Sequence, residues 1–327
     1  MRRREFIVLA PSIALLRPAA IRAQQSSKLY HIGYFSAGER RPTPQLEEAF
    51  VGALRGLGWI EGTNVVFEYR YADNHLDRLP ELAAQLVALK VDVIVAAGTL
   101  APLAVKRLST TIPIVLTSAG DPLGSGLVSS LAHPGGNITG LSLMASDLGG
   151  KRLELLRELL PSISKVAVLW NAANPYAAKV FTETERAART LRIALQSVEV
   201  RKPDDFDTAF DSVKIEHPDG LISIEDPLTF DHRKEIVEFA AKNNLPAVHG
   251  LREFAEIGGL IAYGANIPDL SRRAATYVDK ILRGAKPADL PVEQPTKFEF
   301  LINLRAAKAL NISISPELLA RADEVIE

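Results

Sequence analysis

The stretch Asp121-Pro122-Leu123-Gly124-Ser125-Gly126-Leu127-Val128-Ser129-Ser130-Leu131-Ala132-His133-Pro134-Gly135-Gly136-Asn137-Ile138-Thr139-Gly140 decides how the chain is divided. An apolar run, Ile112-Pro113-Ile114-Val115-Leu116-Thr117, leads into it, and the rhythm of the chain restarts just after Leu141. The stretch reads as a strand end, a short helix and then a glycine-rich turn. Pro134 lacks a backbone donor, and Gly135 and Gly136 favour left-handed turn geometry, so no helix runs through them. Such a segment suits a chain passing from one lobe to another.

Working outward, strands and helices alternate on both sides. Before the stretch, residues 30–35, 65–71, 91–96 and 112–117 read as strands. The helix following the first of them is capped by Thr43, and Leu46, Ala49, Phe50, Ala53, Leu54 and Leu57 recur on one face. After the stretch, residues 166–170, 195–200, 221–225, 247–248 and 260–263 read as strands between further helices. Runs such as Val91-Asp92-Val93-Ile94-Val95-Ala96 are nearly all apolar, which suits parallel sheets covered on both faces. The expected fold class is α/β, with two doubly wound parallel-sheet lobes. The tail departs from this rhythm: a helix over 270–283, a linker over 286–291, a strand over 296–302, and a last helix from Ser315-Pro316 through Ile326.

The bulk properties narrow the function. The 327 residues suit about two domains, and 47% hydrophobic with 24% charged residues is a globular composition. A formal net charge of -1 offers no basic footprint for nucleic acid. Absence of cysteine excludes disulfides, thiolate metal sites and cysteine nucleophiles. Arg2-Arg3-Arg4 followed by an apolar run over 6–16 reads as an export signal, cleaved after Ala23. Arg3-Arg4-Glu5-Phe6-Ile7 resembles a twin-arginine signal.

Motifs for chemistry are missing. Gly124-Ser125-Gly126 lacks the third glycine and the strand–turn–helix context of a dinucleotide fingerprint. No phosphate loop or nucleophile elbow occurs. The six histidines show no metal-ligand spacing, so no metal and no cofactor are expected. The strand ends are more informative, because right-handed crossovers gather them at the ligand-binding edge of each sheet. Ser36, Thr99, Thr117, Ser118 and Asp121 fall there in the first half, and Asn171, Asn174, Glu225, Asp226 and Tyr263 in the second. Hydroxyls and helix N–H groups suit a carboxylate, and Asp226 suits an ammonium. Tyr34, Phe35, Tyr176 and Tyr263 can stack on an apolar ligand part. The same residue types also cap helices, and Asp121-Pro122 and Asp226-Pro227 read equally as helix starts.

Residues 121–140 resemble the signature of the ABC transporter substrate-binding proteins related to tryptophan- and tyrosine-binding receptors. Leu57-Gly58-Trp59-Ile60-Glu61-Gly62, Val91-Asp92-Val93-Ile94-Val95, Tyr263-Gly264 and Ala309-Leu310-Asn311-Ile312 with Ser315-Pro316 support the resemblance. It implies the type I periplasmic binding protein fold, with two lobes joined by three crossovers. Lobe I would comprise 28–139 plus 268–287, and lobe II 140–267 plus 288–327. Ser36, Thr99, Thr117, Ser118 and Asp121 would face Asn171, Asn174, Asp226 and Tyr263 across a cleft. The implied function is a non-enzymatic periplasmic receptor that binds a small polar solute, an amino acid in some relatives. A monomer would then deliver the solute to an ABC permease with its ATPase. A sugar- or nucleotide-processing transferase on a two-lobe α/β frame is the alternative; a sensory ligand-binding domain is a third reading.

Overall fold

The computed structural model describes residues 28–40, 44–143 and 148–327; the expected export signal and the Thr43 cap lie outside them. Lobe I begins with β1 (Tyr30–Ser36), α1 (Pro44–Gly56), β2 (Val65–Tyr71) and α2 (Leu79–Ala88). It continues through β3 (Val93–Ala96), α3 (Leu100–Lys106), β4 (Ile114–Ala119) and β5 (Ile138–Ser142). All four residues of β3 are buried, as a strand covered on both faces requires.

Lobe II opens with α4 (Leu148–Leu159), β6 (Lys165–Asn171), α5 (Pro175–Leu191), β7 (Ala194–Val200) and α6 (Phe206–Glu216). β8 (Gly220–Ser223), α7 (Pro227–Asp231), α8 (Arg233–Lys242), β9 (Ala247–His249), α9 (Arg252–Glu256) and β10 (Ile261–Ala265) follow. Next, α10 (Ile267–Leu282) returns to lobe I and packs on α1 and β4. Trp59 Nε1 donates to Asp279 Oδ1 at 2.9 Å and ties the end of α1 to it. The two-residue strand β11 (Val292–Glu293) pairs with β5. The chain closes in lobe II with β12 (Phe298–Asn303), α11 (Leu304–Ala309), α12 (Pro316–Leu319) and β13 (Glu324–Ile326).

The strand orders are β2-β1-β3-β4-β5-β11 in lobe I and β7-β6-β8-β9-β10-β12-β13 in lobe II. All pairings are parallel except β10 with β12. The order in which strands are added therefore reverses once in each sheet, between β1 and β3 and between β6 and β8. Those reversals are the switch points at which doubly wound sheets open a crevice.

Three expectations need correction. Residues 122–127 form turns rather than a helix: Ser125 N donates to Asp121 O and Leu127 N to Pro122 O, and Gly126 takes a left-handed φ of 71°. The whole stretch lies inside lobe I, linking β4 to β5. Gly140, at φ 125°, ends the motif inside β5, where a Cβ would lie 2.3 Å from Leu116 O. The hydrogen-bond register also moves the lobe boundaries, since β5 carries lobe I to Ser142 and β11 returns 292–293 to it. Thr139 Oγ1, donating to Leu290 O at 2.8 Å, secures that return. Finally, the last helix stops at Leu319. Phe300 N donates to Asp323 Oδ2 and Asp323 N to Phe300 O, which seats 324–326 as an edge strand on β12.

Candidate functional site

The C-terminal edges of the two sheets face each other across a cleft. From lobe I come Tyr34 and Ser36 on β1, Tyr71 on β2, Gly98 and Thr99 after β3, and Ser118 and Gly120 around β4. From lobe II come Asn174 and Tyr176 after β6, Glu225 and Asp226 after β8, and Phe230 and Asp231 on α7. Among the described residues, no lysine, arginine or histidine lines it.

The lobe I wall is built of hydroxyls on backbone. Ser36 Oγ accepts from Gly38 N at 3.1 Å and Thr99 Oγ1 from Gly120 N at 3.3 Å, which holds each oxygen while leaving its proton to donate. Tyr34 packs among Phe50, Tyr69 and Tyr71, and the Tyr71 hydroxyl donates to Glu47 at 2.8 Å. Burial pushes the Tyr34 and Tyr71 hydroxyls well above the usual phenol range, so both stay protonated.

The lobe II wall is a network of carboxylates. Arg152, on α4 and 0% exposed, places Nη1 2.6 Å from Glu225 Oε2. Both atoms lack hydrogen-bond alignment, so they meet as charges off axis. Arg152 Nε donates to Tyr263 O at 2.9 Å, and the Tyr176 hydroxyl donates to Glu225 Oε1. Next along the chain, Asp226 caps α7: its Oδ1 accepts from Leu228 N and Asn171 Nδ2, both at 2.8 Å. Asn174 Nδ2 donates to Asp226 Oδ2 at 2.7 Å, while Asn174 Oδ1 caps α5 at Tyr176 N. Burial pulls the Asp226 carboxyl above its usual range against these three donors.

The lobes also touch directly along a seam beside the cleft. A Cβ on Gly120 of lobe I would lie 2.1 Å from Tyr176 Cγ of lobe II, and one on Gly38 would lie 2.8 Å from Asp231 Oδ2. Asp231 Oδ2 accepts from Glu39 N and from Asn74 Nδ2, both at 2.8 Å. At the rim, Lys179 on α5 pairs with Asp121.

Of the residues expected from sequence, Ser36, Thr99, Ser118, Asn174 and Asp226 meet in the cleft. Thr117, Asp121, Asn171 and Tyr263 are not among its lining residues. Thr117 is buried in β4, and Asn171 stands behind Asp226 as its donor. Asp121 serves the rim ion pair and caps Gly124 N at 2.8 Å. Tyr263 offers its carbonyl to Arg152, while its ring packs near Phe298 and Phe300. Glu225 stood among the strand-end residues but outside the chosen set; Asp231 and Arg152 were missed. Arg152 sits between Lys151 and Leu153 on a helix, where a cation ordinarily faces water, so nothing local marks its burial.

Comparison with known proteins agrees with this geometry. The family described as ABC transporter substrate binding protein matches residues 44–326. The chain is 26% identical over 287 residues, 88% of its length, to a tyrosine-binding protein of Clostridioides difficile, of which 82% is covered. Its fold superposes with a TM-score of 0.85 on a conserved domain protein from Vibrio cholerae O1 biovar El Tor, at 26% identity, covering 90% of this chain and 99% of that one. A Streptococcus pneumoniae ABC domain in complex with L-Trp superposes with a TM-score of 0.83 at 22% identity, covering 91% of this chain and all of the other. With the family model covering residues 44–326, the chain belongs to the ABC transporter substrate-binding protein family.

Proposed function

We propose that this chain is the exported solute receptor of an ABC importer, and that its cleft takes a zwitterion with an apolar, preferably aromatic, body. The observation that carries this is the division of the walls. Lobe I offers hydroxyl donors and two tyrosine rings with Glu39 as its one lining carboxylate, lobe II offers Glu225, Asp226 and Asp231, and among the described residues no cation lines the cleft. A ligand carboxylate is served by Ser36, Thr99 and Ser118, and an ammonium by the vacant acceptor position on Asp226 Oδ2. Tyr34, Tyr71 and Phe230 give an aromatic body its contacts. The relatives that bind tyrosine and L-Trp support this ligand class. Residues 1–23 act as the export signal, the protein works outside the cytoplasmic membrane, and its partner is a permease with its ATPase. The cleft binds without turnover.

Thermal unfolding of the chain beginning at Gln24, screened against amino acids, tests this reading. An aromatic L-amino acid stabilises the fold by RT ln(1+[L]/Kd), about 2.7 kcal/mol at a hundredfold excess over Kd. Benzoate, which lacks the ammonium, stabilises it far less. Stabilisation by no amino acid overturns the ligand class, and turnover of a nucleotide sugar overturns the receptor reading in favour of a transferase.

A further inference from the structure

We propose that lobe II carries a second ligand site, a cavity beneath α8 and α11 that takes a single-ring phenol through a hydrogen bond to His249. It is separate from the cleft, since no residue lines both. The cavity, about 110 Å³, lies between the C-terminal half of α8, β9, residues 258–260 and α11. Three of the residues around it, Ala241, Gly258 and Ala309, are exposed, so it opens to solvent. Its walls are alanine, valine, leucine and glycine, and among the described residues His249 is the one polar side chain lining it.

His249 ends β9, is 0% exposed, and is held on two sides. Its Nδ1 lies 2.7 Å from Ser223 Oγ on the neighbouring strand β8, and its ring stacks on Phe254 with centroids 4.5 Å apart. Nε2 is buried, and among the described residues nothing pairs with it. The adjoining ring atom, Cδ2, faces Gly259: a Cβ there would lie 3.0 Å from it and 2.7 Å from Phe254 O. Gly259 also lines the cavity, so a glycine keeps that edge of the ring clear. Burial, helped by the Arg152 charge, pushes the imidazole down to about 3, so it stays neutral near pH 7. A neutral imidazole has one donor and one acceptor. The Ser223 hydroxyl serves whichever of them Nδ1 carries, leaving the other for a ligand in the cavity. A phenol hydroxyl suits both tautomers, because it donates and accepts. Water fits less well: it needs about two to four polar partners, and one side chain is on offer. The apolar remainder selects a single ring, since apolar cavities of about 150 Å³ hold benzene.

Phenol titrated into the protein, followed through the imidazole nitrogens in long-range nitrogen–proton NMR spectra, tests the site. The His249 signals, identified by their loss in His249→Phe, should move saturably, and phenol should bind about fivefold tighter than benzene. A wholly apolar cavity gives the reverse order, because phenol there loses its bonds to water without replacement. His249→Phe should therefore prefer benzene. Ala306→Leu fills the cavity from α11 and leaves His249, Ser223 and the cleft as they are. It should keep the fold, as read by thermal unfolding, and abolish the phenol response. Benzene binding as tightly as phenol, His249 signals that stay still, or a phenol response that survives Ala306→Leu overturns the inference. The last two outcomes also report phenol held in the cleft instead.

Discussion

The two lobes share the order of their first five strands but carry different chemistry on their facing edges. Lobe I presents hydroxyls, tyrosine rings and three glycines, Gly38, Gly98 and Gly120, whose missing side chains admit Asp231, Pro227 and Tyr176 of lobe II. Lobe II presents Glu225, Asp226 and Asp231, each held by named donors. Topology therefore fixes where a site forms, since both walls stand at switch points. It leaves the chemistry of each wall to single residues. Lobe I supplies most of the shape and lobe II most of the charge.

The largest effect comes from breaking the charged wall. Arg152→Met strands Glu225 in a buried position, and urea unfolding should show a loss of about 3–5 kcal/mol. Removing the charge as well, in Arg152→Met/Glu225→Gln, should restore most of it. The site is built for this pair, since a Cβ on Gly250 would lie 2.2 Å from Glu225 Oε2 and 3.0 Å from Arg152 Nη2. If the double variant were as unstable as the single one, Arg152 would matter for packing and not for charge.

The shape-giving wall breaks differently. Gly120→Ala places a methyl group inside the Tyr176 ring, so the seam cannot close without shifting one lobe. Overpacking of this kind costs about 1–3 kcal/mol, which as a closure penalty lowers affinity about fivefold to about 150-fold. Because the clash lies between lobes, the unfolding free energy of the ligand-free protein should change by less than about 0.5 kcal/mol. A stability loss with affinity intact would make Gly120 a core residue of the fold instead.

How much of this was legible follows from the same contrast. The lobes were readable because alternation of apolar strands with amphipathic helices is local, and the strand ends of β1, β3, β6 and β8 led to Ser36, Thr99, Asn174 and Asp226. Roles were less readable than positions. Asn171, Asn174 and Asp226 turned out to satisfy one another and to cap α5 and α7, a closed network visible only once β6 and β8 are paired. Asp231 and Arg152 gain their meaning from residues 157 and 73 positions away, so no pattern near them could point to it. The short helix expected within 121–140 does not form, because bonds from Ser125 N to Asp121 O and from Leu127 N to Pro122 O close residues 122–127 as turns.

The smallest expected effect falls at the rim, where the two walls meet through an ion pair. Burial alone would raise the Asp121 carboxyl; Lys179 and the Gly124 N–H bring it below the usual carboxylate range. Yet the Lys179 side chain is 46% exposed, so little desolvation sharpens the attraction and salt screens it. Lys179→Met should therefore weaken solute binding by less than about fivefold, with the difference vanishing at high ionic strength. Asp121→Ala removes the same pair and also the hydrogen bond that holds Gly124 N, so it should cost about 1 kcal/mol more in stability of lobe I. Equal stability in the two variants would mean that the turn opening residues 121–140 holds its shape without its carboxylate. The rim pair would then be that residue's whole contribution.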